Sequence, residues 1–170
     1  MISESQFVKD IEEFCALASR FETEDTWTVK KARGGSAYLD CHSSVVNISS
    51  NGTQAKRSLN ICYSATYNVP VIWFNFYNTD GKLLLFDDFK GFLLENVRNS
   101  MLGERLLEGI SQNEHPHFGI SFYNIHPCKN AELMKELKAN NYILSFLSTT
   151  GGFIGLNNWP LEMFLNESDN

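Results

Sequence analysis

A histidine, a proline and a cysteine in a row, His126-Pro127-Cys128, stand just ahead of Asn130-Ala131-Glu132-Leu133-Met134-Lys135-Glu136-Leu137, which reads as an amphipathic helix. A thiol so placed has the setting of a presented nucleophile. Asn130 is a good N-cap and Glu132 suits a first turn, so the helix is expected to begin within two residues of the thiol. A helix N-terminus carries positive partial charge, and the thiolate that would face it is the reactive form of cysteine. Proline fixes one dihedral and biases His126 towards extended backbone. The plainer alternative is a space-filling thiol, because free cysteines are among the most often buried side chains.

Two other chemistries use the same neighbourhood. His115, His117, His126 and Cys128 are all zinc-ligand types, but the run lacks the paired-cysteine spacing of structural zinc motifs. No metal is therefore expected, and His115 and His117, on either side of Pro116, are expected to anchor their loop by hydrogen bonds. A cysteine hydrolase would need a histidine base, for which His115, His117 and His42 are available. In an extended segment His126 would share a side with Cys128 yet be offset along the chain. No cysteine-protease signature surrounds Cys128.

The elements that must position these residues follow from periodicity. Ser3 with Gln6 predicts a capping box, and Phe7, Ile11, Phe14, Leu17 and Phe21 predict a helix ending near Arg20, with Cys15 on its apolar side. Trp27–Lys31, Tyr38–His42 and Val45–Ile48 read as short strands, broken by Gly34-Gly35 and followed by the hairpin signal Asn51-Gly52. Ser58–Tyr67, Val69–Tyr77 and Leu83–Phe86 read as a meander. Within it Leu59, Ile61 and Tyr63 share one face and Cys62 takes the other. Residues 92–110 mix helical spacing with Gly103 and Gly109, and 111–124 read as an irregular loop ending in an extended piece at Ile120–Tyr123. The cysteine helix is expected to reach Asn140, with a second apolar helix from Tyr142 towards Gly151-Gly152. The expected fold class is α+β: an antiparallel meander sheet packed by an N-terminal helix and C-terminal helices, one domain over 1–165, with 166–170 a disordered polar tail.

Composition agrees with a folded globule. The chain has 170 residues, 43% hydrophobic and 13% aromatic, with net charge −6. An acidic chain whose densest basic run is Lys30, Lys31 and Arg33 is a poor match for nucleic acid or an anionic membrane. No stretch has the length of a membrane span or the pattern of a signal peptide. Cys15, Cys41, Cys62 and Cys128 are widely spaced, so free thiols in a reducing, cytoplasmic setting are expected.

From about Ser58 onward the chain resembles the ubiquitin-conjugating-like enzymes of autophagy. The resemblance is carried by Val71-Ile72-Trp73-Phe74-Asn75-Phe76 before Asp80-Gly81, by His115-Pro116-His117, by Tyr142-Ile143-Leu144-Ser145-Phe146-Leu147, and above all by Ile125-His126-Pro127-Cys128-Lys129-Asn130-Ala131. One branch of that family modifies a lipid and carries a long acidic insertion, which this chain lacks. The resemblance is therefore to the branch that joins a ubiquitin-like modifier to a lysine of a partner protein.

It implies a ubiquitin-conjugating-enzyme-like fold, a thioester at Cys128 received from an activating enzyme, transfer to an acceptor protein, and no cofactor. It also implies recruitment to the autophagosome-forming site. Ordinary conjugating enzymes carry a His-Pro-Asn motif upstream of the cysteine, whose Asn faces the oxyanion, but here His115-Pro116-His117 stands instead. Asn113 is the first substitute and Tyr67, expected at a strand end, the second; His126 completes the supporting set. The run Leu59–Phe86 has two fates: an edge or hairpin offered to the acceptor by strand addition, or, more commonly for such aromatics, packing against the domain's own helices. Two rival readings are a cysteine hydrolase and a non-catalytic binding module of the same fold.

Overall fold

The computed structural model describes residues 1–21, 25–49, 52–98, 106–133, 141–157 and 159–165, and the main chain alone at 42–44, 132 and 133. The polar tail expected at 166–170, and the stretch expected to carry the cysteine helix from Met134 to Asn140, lie outside the described residues. Helix α1 (Glu4–Ala18) starts at Ser3, whose hydroxyl accepts from the Gln6 amide at 3.1 Å. The other half of the expected capping box does not form, because the Gln6 side chain donates forward to Asp10 at 2.7 Å. Phe7, Ile11 and Phe14 point into the core at the predicted spacing.

Among the described residues six strands make one antiparallel sheet in the order β1-β2-β3-β4-β6-β5. They are β1 (Thr26–Lys31), β2 (Ala37–Asn47), β3 (Gln54–Ser64), β4 (Val69–Tyr77), β5 (Ile110–Glu114) and β6 (Ser121–Ile125). The two short strands expected between Tyr38 and Ile48 are one strand, kinked by a register shift between His42 and Val45. Helices α2 (Phe86–Val97), α3 (Pro127–Leu133) and α4 (Tyr142–Thr150) follow, with single 3₁₀ turns at Gly151–Ile154 and Leu161–Phe164. No helix among the described residues is long and apolar enough to cross a membrane.

Three expectations are corrected. Leu83–Phe86 is not a strand: only Leu83 bridges back to Tyr77, and a helix starts at Phe86. The cause is Asp87-Asp88, whose charges suit a helix N-terminus, with the Asp88 carboxylate accepting from Leu85 N at 2.7 Å. Strand β3 stops at Ser64, so Tyr67 sits in the turn before β4, where Asn68 adopts φ 55°. Finally, the supposed loop at 111–124 is the β5–β6 hairpin, since Ser-Gln-Asn-Glu can form an edge strand without an apolar face.

The sheet buries one face against helices. Leu59, Ile61, Ile72 and Phe74 lie on it, with Phe74 at the centre of an aromatic cluster: its ring centroid is 5.5 Å from Phe153, 5.9 Å from Tyr123 and 6.3 Å from Phe89. Buried aromatics of this size dominate core energetics. The core runs in sequence from Phe7 to Met163. Arg57, buried within it, donates from Nη2 to both Asp25 carboxylate oxygens at 2.7 and 2.8 Å and from Nη1 to the Ile154 carbonyl, so β3 is tied to the start of β1 and to the 3₁₀ turn after α4. A guanidinium is tolerated in such a place only when paired. The opposite face, with Cys62, Val71, Trp73 and Phe122, is covered by the tip of the β5–β6 hairpin.

Candidate active site

Strand β6 passes into α3 with a single residue between them, His126. That residue is the helix cap. Its ring Nδ1 accepts from Cys128 N at 3.3 Å, and its carbonyl accepts from Lys129 N at 3.0 Å. Pro127 occupies the first helical position, where its fixed φ fits and no N–H is missed. Asn130 is therefore not the cap expected from sequence. It is 0% exposed, and its side-chain amide donates 3.1 Å to the Pro70 carbonyl, fastening α3 to β4. On the other side the His126 amide donates to Gly109 O at 2.8 Å. A side chain at Gly109 would be tight, since a Cβ there would lie 3.1 Å from the Lys129 stem and 3.3 Å from the Leu106 carbonyl.

This leaves Cys128 exposed and unbridged in the first turn of α3, with its Sγ 2.7 Å from His126 Nδ1. Because the Cys128 main-chain N–H can only donate, Nδ1 is an acceptor and the ring proton sits on Nε2. The same Nδ1 is then placed to receive the thiol proton. The sequence reading offset these two side chains along an extended segment; the helix turn at Pro127 instead brings them together. Tyr67, 37% exposed, meets the His126 ring edge-on at 5.6 Å. Its turn is stapled to the N-terminus: Ile2 N donates to Asn68 O at 2.9 Å, and the Tyr63 hydroxyl bonds both Ile2 O and the Asn68 side chain at 2.9 Å.

The remaining sequence-selected residues lie elsewhere. Asn113 is exposed on β5, three positions along from Ile110, which pairs with Ile125; its amide donates to Ser111 Oγ at 2.9 Å. His115 is 1% exposed on the back of the sheet, stacked on Phe118 at 4.1 Å. Its Nδ1 accepts from His117 N at 3.2 Å, as expected of a loop anchor, and Nε2 faces Cys62 Sγ at 3.8 Å. Burial, and then the nearby His117, push its pKa down to about 4. The side chain of His42 lies outside the described residues. Among the described residues no group of three or more His, Cys, Asp or Glu could hold a metal.

Known proteins bear directly on this geometry. Residues 6–160 match the family described as autophagocytosis associated protein, active-site domain. The chain belongs to that family. It is similar to the human protein named ubiquitin-like-conjugating enzyme ATG10, with 35% identity over 130 residues, 69% of this chain and 56% of that protein. A protein of the same name from Arabidopsis thaliana is 32% identical over 114 residues, 61% and 50% of the two chains. Autophagy-related protein 3 of Dictyostelium discoideum is 32% identical over 87 residues, 46% of this chain and 24% of that one. The chain spans about half the length of the ATG10 relatives from human and Arabidopsis. Family membership and the α+β architecture agree with the fold that the resemblance implied.

His115 generates a prediction about stability. A folded pKa of about 4 against an ordinary 6.5 means that the folded state favours the neutral ring. Its contribution is complete above pH 6.5 and is lost as pH falls towards 4. His115→Phe, which keeps a ring against Phe118, should flatten the decline of the urea midpoint between those pH values. An unchanged slope would remove His115 as its source.

Proposed function

We propose that this chain carries a ubiquitin-like modifier of autophagy as a thioester on Cys128 and passes it to a lysine of a partner protein. The observation that carries the reading is the exposed Cys128 thiol, 2.7 Å from an accepting ring nitrogen, within the active-site domain of this family. The choice of a lysine acceptor rests on the resemblance to the protein-modifying branch and on the wider coverage by relatives named ATG10 than by Autophagy-related protein 3.

In the first transfer His126 Nδ1 takes the thiol proton, and the sulfur attacks the carbonyl carbon of the modifier's C-terminal glycine, held as a thioester on an activating enzyme. Collapse of the tetrahedral intermediate expels that enzyme's thiolate, which is reprotonated. In the second transfer a neutral lysine amine attacks the new thioester. Cys128 leaves as thiolate, the amine loses its extra proton, and an isopeptide bond remains. Activation by ATP belongs to the activating enzyme, so no cofactor enters these steps. Tyr67, edge-on to His126, holds the ring over the thiol. The oxyanion needs a donor. Asn113 keeps a second amide hydrogen besides the one given to Ser111, whereas protonated His126 is already beside the sulfur. The work is placed in the cytoplasm, where cysteines stay reduced, with recruitment to the site of autophagosome formation.

The test is loading. With activating enzyme, ATP and modifier, wild type should form an adduct cleaved by reductant, and Cys128→Ser an oxyester that resists it. No adduct with wild type, or an adduct with Cys128→Ala, would refute the reading. A hydrolase would instead release free modifier without any acceptor.

Two variants separate the supporting roles. His126→Asn keeps an oxygen to cap the Cys128 amide but removes the proton acceptor, so loading at pH 7 should slow about tenfold and recover as pH rises; an unaltered pH profile would deny His126 the proton. Asn113→Ala should leave loading intact and slow only transfer to the lysine. Unchanged transfer would assign the oxyanion to His126.

A further inference from the structure

Strands β3 and β4 each have neighbours on both sides, so the run Leu59–Phe86 offers no free edge for strand addition. The free edges among the described residues are β1 and β5, and they differ. Strand β1 carries Lys30 and Lys31, and lysine on an edge discourages pairing with another chain. Strand β5 reads Ile-Ser-Gln-Asn-Glu, without lysine, arginine or proline.

The direction of the β5 main chain follows from its hydrogen bonds. His126 N donates to Gly109 O, and His115 N donates to Ile120 O, at opposite ends of the hairpin. In an antiparallel pair the two main-chain groups of one residue point the same way and alternate along the strand. Residues 109, 111, 113 and 115 therefore face β6, and Ile110, Gln112 and Glu114 turn their N–H and C=O groups outward. Among the described residues nothing takes those outward groups. Gln112, Asn113 and Glu114 are all exposed although they alternate between faces, as on an open edge.

We infer that the outer edge of β5 is the track for the extended C-terminal tail of the modifier, laid antiparallel to β5 so that its last residue arrives at Cys128. This rests on the thioester reading above. The track ends on the correct side: Ile110 pairs with Ile125, three residues before the thiol, and Gly109 holds the His126 amide. A tail entering at Glu114 and leaving at Ile110 covers about five residues, roughly 17 Å. An acceptor lysine arrives as a side chain and needs no such track. A second copy paired through one five-residue strand would bury far less surface than a stable dimer requires.

Gln112→Pro removes one outward N–H while sparing the ladder to β6, an edge position where proline is tolerated. Using purified autophagy ubiquitin-like modifier, its activating enzyme and ATP, Gln112→Pro should load about tenfold more slowly than wild type. Lys31→Pro, on the opposite edge, should load normally. Melting temperatures report any damage to the fold. Should Gln112→Pro melt far below wild type, hydrogen exchange in the Cys128→Ser oxyester adduct decides, with slowed amides expected at Ile110, Gln112 and Glu114. Equal loading by wild type and a folded Gln112→Pro, or unprotected amides in the adduct, overturns the inference alone. A wild type that takes up no modifier overturns the thioester reading as well. Protection of the same amides by concentrating the protein without modifier would assign the edge to a second copy and overturn it too.

Discussion

Everything at the site depends on how the main chain of His126 is held. Its N–H is bound by Gly109 O and its carbonyl by Lys129 N, one contact belonging to the sheet and the other to the helix. Each such bond contributes about 0.5–1.5 kcal/mol net, but their geometric effect is larger than their energy. With both groups engaged, the imidazole is left facing the first turn of α3, where Cys128 is. Asn130 adds a third fastening through Pro70 O, so the thiol is positioned by strands on both sides of β6's end. The Cys128 sulfur is thus placed by the end of β6, by β4 and by the turn at Gly109.

Burial sorts the four thiols of the chain. Cys62 is sealed beneath the β5–β6 tip and Cys15 lies half-buried along α1, and loss of solvation raises both above the ordinary cysteine range, Cys15 to about 11. Cys41 is buried in the core. Cys128 alone among these is exposed. The back of the sheet serves this sorting as well as packing. It carries polar pairs, in which Asn60 bonds Asp40 and Asn75 bonds the Ser121 carbonyl, and His115, stacked on Phe118, stands over Cys62.

Much of this was legible in the residues. Apolar spacing gave α1 and α4, β-branched and aromatic density gave β3 and β4, and the His-Pro-Cys run lies where an exposed thiol opens α3. The failures have physical causes. Asn130 has the chemistry of a cap, but a buried carbonyl at Pro70 competes for its amide, and a histidine ring can cap in its place. Strand β5 has no apolar alternation because an edge strand near solvent needs none. Asp87-Asp88 is a helix-start signal that the hydrophobic run Leu83–Phe86 obscured. The contact between His126 and Cys128 was hidden for a different reason: residues two apart in sequence meet only when the chain turns between them.

The staple from Ile2 to Asn68 carries a practical consequence. Through it the first residues of the chain and the hairpin bend bearing Tyr67 form a single mechanical unit, and Tyr67 rests on the imidazole beside the thiol. Any polypeptide joined ahead of Met1 therefore pulls on a lever whose other arm ends at the sulfur.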